Sequence, residues 1–136
     1  MNTLNEFPLW TAIITPLKED GSLDLKSYAN ILQEQNEAKN GILVLGSTGE
    51  ALNLTMAEQK QLLEFTLTQD LSVPLMVGVP GSNLEGAKEW VTYVNDLKID
   101  ALLMVTPLYA KPETEGQYEW FKTLMDLSQK PVMLYN

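Results

Sequence analysis

The 136-residue sequence contains no cysteine, no histidine and no arginine. Without cysteine there is no disulfide framework, no zinc–thiolate site and no thiol nucleophile. Without histidine the commonest acid–base group and metal ligand is missing. Proton transfer therefore falls to tyrosine, serine, threonine, carboxylate, lysine or water. With arginine absent, nine lysines stand against 18 acidic residues, for a net charge of −9. So acidic a chain lacks the basic surface that displaces phosphate counterions, which argues against nucleic acid as a partner. The same balance disfavours an anionic membrane surface. No apolar run reaches membrane-spanning length. The opening M-N-T-L-N-E-F-P has neither the basic region nor the long apolar run of a secretion signal. Together these features point to a cytoplasmic protein.

Hydrophobic residues make up 45% of the chain, enough for one domain with a sizeable core. No linker or low-complexity segment divides residues 1–136, so they are read as one portion of a single domain. Apolar, β-rich runs occur at residues 10–15 (W-T-A-I-I-T), 42–45 (I-L-V-L), 74–79 (P-L-M-V-G-V), 101–106 (A-L-L-M-V-T) and 131–135 (P-V-M-L-Y). Their starts lie roughly thirty residues apart, the length of a βα unit. The runs are continuous rather than alternating, as in strands buried on both faces of a parallel sheet.

Helical spacing fills the gaps. It predicts a helix over 25–38 with Asp24 as N-cap. Thr55-Met56-Ala57-Glu58 reads as a capping box opening a second helix. A third helix is predicted over 84–97, with Ala87, Trp90, Val91, Tyr93 and Val94 inward. A fourth is predicted over 115–127, with Tyr118, Phe121, Leu124 and Met125 inward. Two architectures fit this α/β order: an open doubly wound sheet, or a (β/α)8 TIM barrel of which the chain supplies about the first five strands and four helices. Both bind ligands at the C-terminal ends of their strands. That singles out Thr15 and Pro16, residues 46–50, 78–83 and 106–112, and Tyr135 with Asn136.

Residues 46–50, G-S-T-G-E, follow the second strand. Their glycines permit positive φ and close approach. Their backbone N–H groups, with the Ser47 and Thr48 hydroxyls, can form an anion-binding nest. Equally, the pentapeptide can be a corner whose hydroxyls cap the next helix. Tyr109 stands between two prolines and is either a packing or subunit-contact residue or a group presented to a site from a stiff loop. Tyr135 closes the fifth strand; its phenol is either a core hydroxyl with a backbone partner or, with histidine absent, a proton carrier. No lysine lies at the end of a strand core, so a buried amine for Schiff-base chemistry is not evident in this chain.

From Trp10 to Asn136 the sequence resembles the pyruvate-dependent class I aldolases of the dihydrodipicolinate synthase/N-acetylneuraminate lyase family. The carriers are T-A-I-I-T-P, G-I-L-V-L-G-S-T-G-E-A, V-T-P-L-Y-A-K-P-E-T-E-G and P-V-M-L-Y-N, in the family's order and spacing. The resemblance implies a (β/α)8 barrel, assembled as a homotetramer from two tight dimers. It implies a lyase with no cofactor, in which a sixth-strand lysine forms a Schiff base with pyruvate and the enamine adds to a small aldehyde. In the synthase branch the aldehyde is aspartate semialdehyde, on the route to diaminopimelate and lysine. Thr48 matches the position that contacts pyruvate, Ser47 the hydroxyl of a proton relay, Tyr109 the relay tyrosine that crosses the tight dimer, and Tyr135 the tyrosine that shuttles protons at the Schiff base.

Serine at 47 is usual in the lyase branch, whereas Y-A-K-P-x-x-E-G, residues 109–116, resembles the synthase branch, which is the preferred assignment. The alternatives are N-acetylneuraminate lyase, a sugar-acid aldolase, or a non-catalytic half-barrel interaction module. Leu108, Ala51, Leu52, Met56 and Gln59 stand where lysine-inhibited members carry polar contacts, so weak or absent lysine feedback is expected. The family's lysine falls beyond Asn136. The chain is therefore expected to be a fragment, inactive alone.

Overall fold

Every apolar run becomes a strand and every amphipathic run a helix in the computed structural model, which describes residues 6–80 and 83–135. Of the strand-end positions singled out above, Gly81, Ser82 and Asn136 lie outside the described residues. The order is β1 (Trp10–Ala12), α1 (Leu25–Glu37), β2 (Gly41–Val44), α2 (Met56–Leu67), β3 (Leu75–Val79), α3 (Leu84–Asn95), β4 (Ala101–Val105), α4 (Thr114–Leu127) and β5 (Val132–Tyr135). β1 is shorter than its apolar run, although Ile13 N–H still donates to Leu43 O at 3.0 Å. Pro16 follows, and the chain then folds into a small loop closed by an antiparallel bridge from Leu17 to Leu23.

Capping explains where the helices begin. Asp24 Oδ1 accepts from Ser27 N–H at 3.1 Å to start α1. Thr55 and Glu58 form the reciprocal box at the start of α2, with Thr55 N–H donating to Glu58 Oε2 at 2.8 Å. The hydroxyl and N–H of Thr55 both bond this carboxylate, which holds the Glu58 pKa below its ordinary value. Asn83 Oδ1 accepts from Gly86 N–H at 2.8 Å to open α3. Each such bond satisfies an N–H that the first helical turn leaves without an internal partner.

The five strands are all parallel and stand in the order β1-β2-β3-β4-β5. A doubly wound sheet reverses its strand order at a switch point; this sheet does not. Successive right-handed crossovers in one direction place all four helices on the same face. The described strands thus form an open arc of a (β/α) barrel, not a doubly wound sheet.

The register divides the sheet into two faces. Ile42, Val44, Val77, Leu102 and Met104 point toward the helices and are fully buried. They meet Leu32, Leu62, Leu63, Trp90, Val91, Val94 and Leu124 in one core. Each such aliphatic side chain contributes roughly 1.5–3 kcal/mol on burial. Between α1 and α2, Thr66 Oγ1 donates to Leu62 O, so Tyr28 donates its hydroxyl to Thr66 at 3.2 Å; burial pushes the Tyr28 pKa up. The concave face carries Leu43, Met76, Gly78, Ala101, Leu103, Val105, Met133 and Tyr135. It is open at the β5 edge, where Met133 and Tyr135 are each about half exposed.

Two inward assignments on α4 are corrected. Tyr118 and Met125 are exposed, and Trp120 is buried in their place. The inward stripe is centred on Trp120 and Leu124, with Phe121 half-buried beside it. At ~100° per residue, Tyr118 and Met125 fall roughly a quarter-turn outside that stripe. Trp120 also gains a hydrogen bond: its Nε1–H donates to Val105 O at 2.9 Å. Trp90 on α3 does the same to Gly78 O at 3.0 Å. Two successive helices are thus pegged by indoles to carbonyls near the C-terminal ends of β3 and β4. On α3, Ala87, Trp90, Val91 and Val94 are buried as expected, whereas Tyr93 is half-buried and donates its hydroxyl to Glu64 Oε1 at 2.9 Å.

Candidate active site

At the C-terminal ends of the strands lies a small cavity of about 60 Å³ that opens to solvent. Its walls include Leu45, Gly46 and Ser47 after β2, Gly78 to Pro80 at the end of β3, Leu103 and Val105 of β4, Leu108, and Tyr135 at the end of β5. Most of this lining is apolar. The polar side chains contributed to it are the Ser47 hydroxyl and the Tyr135 phenol, which brings two of the four candidate residues into one cavity. Thr48 follows Ser47 on the exposed crest of the same turn. Tyr109 lies outside the lining and is fully exposed on the loop between β4 and α4. That loop turns through Lys111, whose φ is 42°.

The turn at residues 46–50 is built differently from the glycine argument. Its positive φ values belong to Leu45 (57°) and Glu50 (52°), the residues at its two ends, and not to Gly46 or Gly49. A left-handed non-glycine residue costs about 1–3 kcal/mol and persists only where its surroundings over-determine it. At Leu45 the surroundings include Gly78. A Cβ at 78 would lie 2.1 Å from Leu45 O and 3.1 Å from Gly46 N. Glycine at 78 thus makes room for the Leu45 carbonyl. Gly49 packs closely: a Cβ there would stand 3.1 Å from Ile13 O and 3.3 Å from Thr15 Oγ1, tight enough that these neighbours would have to give by a few tenths of an ångström.

Inside the turn, Glu50 N–H donates to Ser47 O at 3.1 Å and Ala51 N–H to Gly46 O at 3.4 Å. The N–H groups of Ser47, Thr48 and Gly49 have no acceptor among the described residues, and neither do the Ser47 and Thr48 hydroxyls. Donors left without acceptors on an exposed turn are what an anion requires. The short 3-10 helix that follows, Ala51–Asn53, is held from α2, where Gln59 Nε2 donates to Ala51 O at 2.8 Å and to Leu54 O at 3.0 Å. From sequence, Thr15 and Gly78 stand among the strand-end positions and Gln59 among the departures from lysine contacts, but their parts in building this turn are visible only in the structure. The lone glycine inside an otherwise apolar strand was the available signal for Gly78, because such a glycine marks close approach of another backbone.

Among the described residues no group of three acidic, histidine or cysteine side chains is arranged to hold a metal ion. No helix of the described residues is long and apolar enough to cross a membrane. The cavity lining contains no lysine.

A parallel (β/α) arc with a largely apolar cavity at the strand ends, bordered by a donor-rich turn and a tyrosine, places the chain among the barrel proteins that bind small molecules at that end. The chain belongs to the Dihydrodipicolinate synthetase family, which it matches over residues 7–136. It is 46% identical over 128 residues to the 4-hydroxy-tetrahydrodipicolinate synthase of Francisella philomiragia, covering 94% of this chain and 43% of that protein. The crystal structure of dihydrodipicolinate synthase from Aquifex aeolicus superposes with a TM-score of 0.87 at 31% identity, over 94% of this chain and 44% of that one. A chloride-inhibited dihydrodipicolinate synthase from Acinetobacter baumannii, complexed with pyruvate, gives a TM-score of 0.87 at 33% identity, over 94% of this chain and 45% of that one. The chain thus spans less than half the length of these relatives, and the described strands are part of a TIM barrel.

Proposed function

We propose that this chain supplies part of the active site of a pyruvate-dependent lyase that condenses pyruvate with aspartate semialdehyde to 4-hydroxy-tetrahydrodipicolinate. The observation that carries the proposal is the union of Ser47 and Tyr135 in one cavity beside a turn with uncommitted N–H and hydroxyl donors. The Acinetobacter relative's complex with pyruvate supports the choice of substrate. In this proposal the turn at 46–50 holds the pyruvate carboxylate, with Thr48 donating to it. Tyr135 and Ser47 carry protons while the keto carbon is converted to a Schiff base with loss of water. The attacking amine is assigned to the remainder of the complete protein, since the cavity lining offers none. The fully exposed Tyr109 is assigned to the neighbouring site of a second copy, completing its proton relay.

The test is borohydride trapping with pyruvate, read by mass spectrometry. The complete protein is expected to gain one reduced pyruvate adduct, and the 136-residue chain none. A stable adduct on the 136-residue chain would remove the assignment of the amine to another segment.

Lysine is expected to act as a weak feedback inhibitor or not at all. The groove beneath the turn is lined by Leu52, Leu54, Met56, Gln59, Pro80, Asn83 and Gly86, with no charged side chain. Gln59 has committed its amide hydrogens to two carbonyls, leaving its Oε1, which has no partner among the described residues, as an acceptor. A free amino acid with a charged side chain would have to shed water there without an ionic partner, which is costly. Assay of the complete protein should show little or no inhibition by submillimolar lysine; half-inhibition in that range would refute the expectation.

A further inference from the structure

We infer that Thr15 is a positioning residue for substrate binding: its hydroxyl straps the turn at residues 46–50 to the exit of β1 and so sets the direction of the donors that receive the pyruvate carboxylate. The inference rests on the proposed role of that turn.

Thr15 Oγ1 donates to Gly49 O at 2.7 Å, across 34 residues of sequence. The turn's other bonds are local, one of them long at 3.4 Å. None of them ties the Gly49 end to another strand. The strap is also a close contact, because Gly49 is buried and a Cβ there would press tightly on Ile13 O and Thr15 Oγ1. At the opposite end the turn is seated by the Leu45 carbonyl against Gly78. The backbone N–H donors of Ser47, Thr48 and Gly49 lie between these two anchors and have no partner of their own among the described residues. Their direction is therefore set by the backbone, and the backbone by its anchors. An anion held by several converging donors loses affinity when their common frame can rotate, even if no donor is deleted.

Thr15 does not line the cavity. Its loss should therefore act on pyruvate affinity and leave the second substrate and the chemical step nearly untouched. The experiment is steady-state kinetics on the complete protein, with both substrates varied, for Thr15→Val, Thr15→Ser and Thr48→Val. Valine keeps the shape of threonine and removes the donor; serine keeps the donor. Thr15→Val is expected to raise the KM for pyruvate about three- to tenfold, the worth of one hydrogen bond. The aldehyde KM and kcat should stay within about twofold, and Thr15→Ser should restore the pyruvate KM. If Thr15→Val does not yield folded protein, Thr15→Ala carries the same expectation. A fall in kcat with the pyruvate KM unchanged would reveal a merely structural role and overturn the inference. So would a raised KM that serine fails to rescue. If Thr48→Val raises the pyruvate KM while Thr15→Val does not, the inference alone fails. If neither variant moves it, neither the strap nor the Thr48 hydroxyl bears on the carboxylate, and both the inference and the proposed role of Thr48 fail.

Discussion

Replacing Tyr135 by phenylalanine in the complete protein is expected to lower kcat by about 10²- to 10⁴-fold, the range that a positioned general acid–base contributes. The ring would remain at the end of β5, where its half-exposed face borders the cavity beside Val105 and Leu108. Only the phenolic oxygen would be lost. With no histidine in the 136 residues and no lysine in the cavity lining, Ser47 is the other hydroxyl among the described lining residues, and an aliphatic hydroxyl is a far weaker acid than a phenol. Steady-state kinetics checks this, and the split between parameters is the informative result. A large loss in kcat with little change in the pyruvate KM fits a proton carrier, because the carboxylate contacts remain. A loss below about fivefold would remove Tyr135 from the chemistry.

Replacing Trp90 by alanine is expected to give the largest loss of stability, about 3–5 kcal/mol. Trp90 is the largest fully buried side chain. It packs on Tyr93 with ring centroids 5.7 Å apart and donates its indole N–H to Gly78 O at 3.0 Å. Truncation would open a cavity between α3 and the sheet and remove the donor that Gly78 O now accepts from. The same β3 glycine leaves space for the Leu45 carbonyl, so the damage should spread to the turn at 46–50. Equilibrium denaturation of the complete protein measures the first effect. Pyruvate affinity in the fraction that still folds measures the second. A loss under about 1 kcal/mol would mean that the indole peg does not hold α3 to the sheet.

Much of the architecture was legible because each element is locally consistent. The helix starts carry their own side-chain acceptors at Asp24, Thr55 and Asn83, and the strand cores are short apolar runs whose neighbours belong to turns. The errors have local causes as well. On α4 the apolar positions fit two phases of the helix, one through Tyr118 and Met125 and one through Trp120 and Leu124, and packing on the sheet selects the second, where the Trp120 indole also reaches Val105 O. β1 proved shorter than its apolar run because, past Ile13, the chain leaves β2 for the Leu17–Leu23 bridge.

The sequence by itself determined the alternation of strands and helices, the capping of two helices and the chemistry that was excluded, since absent residue types remove functions without reference to any fold. It also located Ser47, Thr48 and Tyr135 at strand ends, which is a matter of order along the chain. Only the tertiary structure decided between a doubly wound sheet and a barrel arc, because strand order depends on crossovers that local periodicity does not encode. It also decided that the turn at 46–50 is left-handed at Leu45 and Glu50 rather than at its glycines. The space that permits this comes from Gly78, and the strap that seats it comes from Thr15, each some thirty residues away along the chain and within a few ångströms across the sheet.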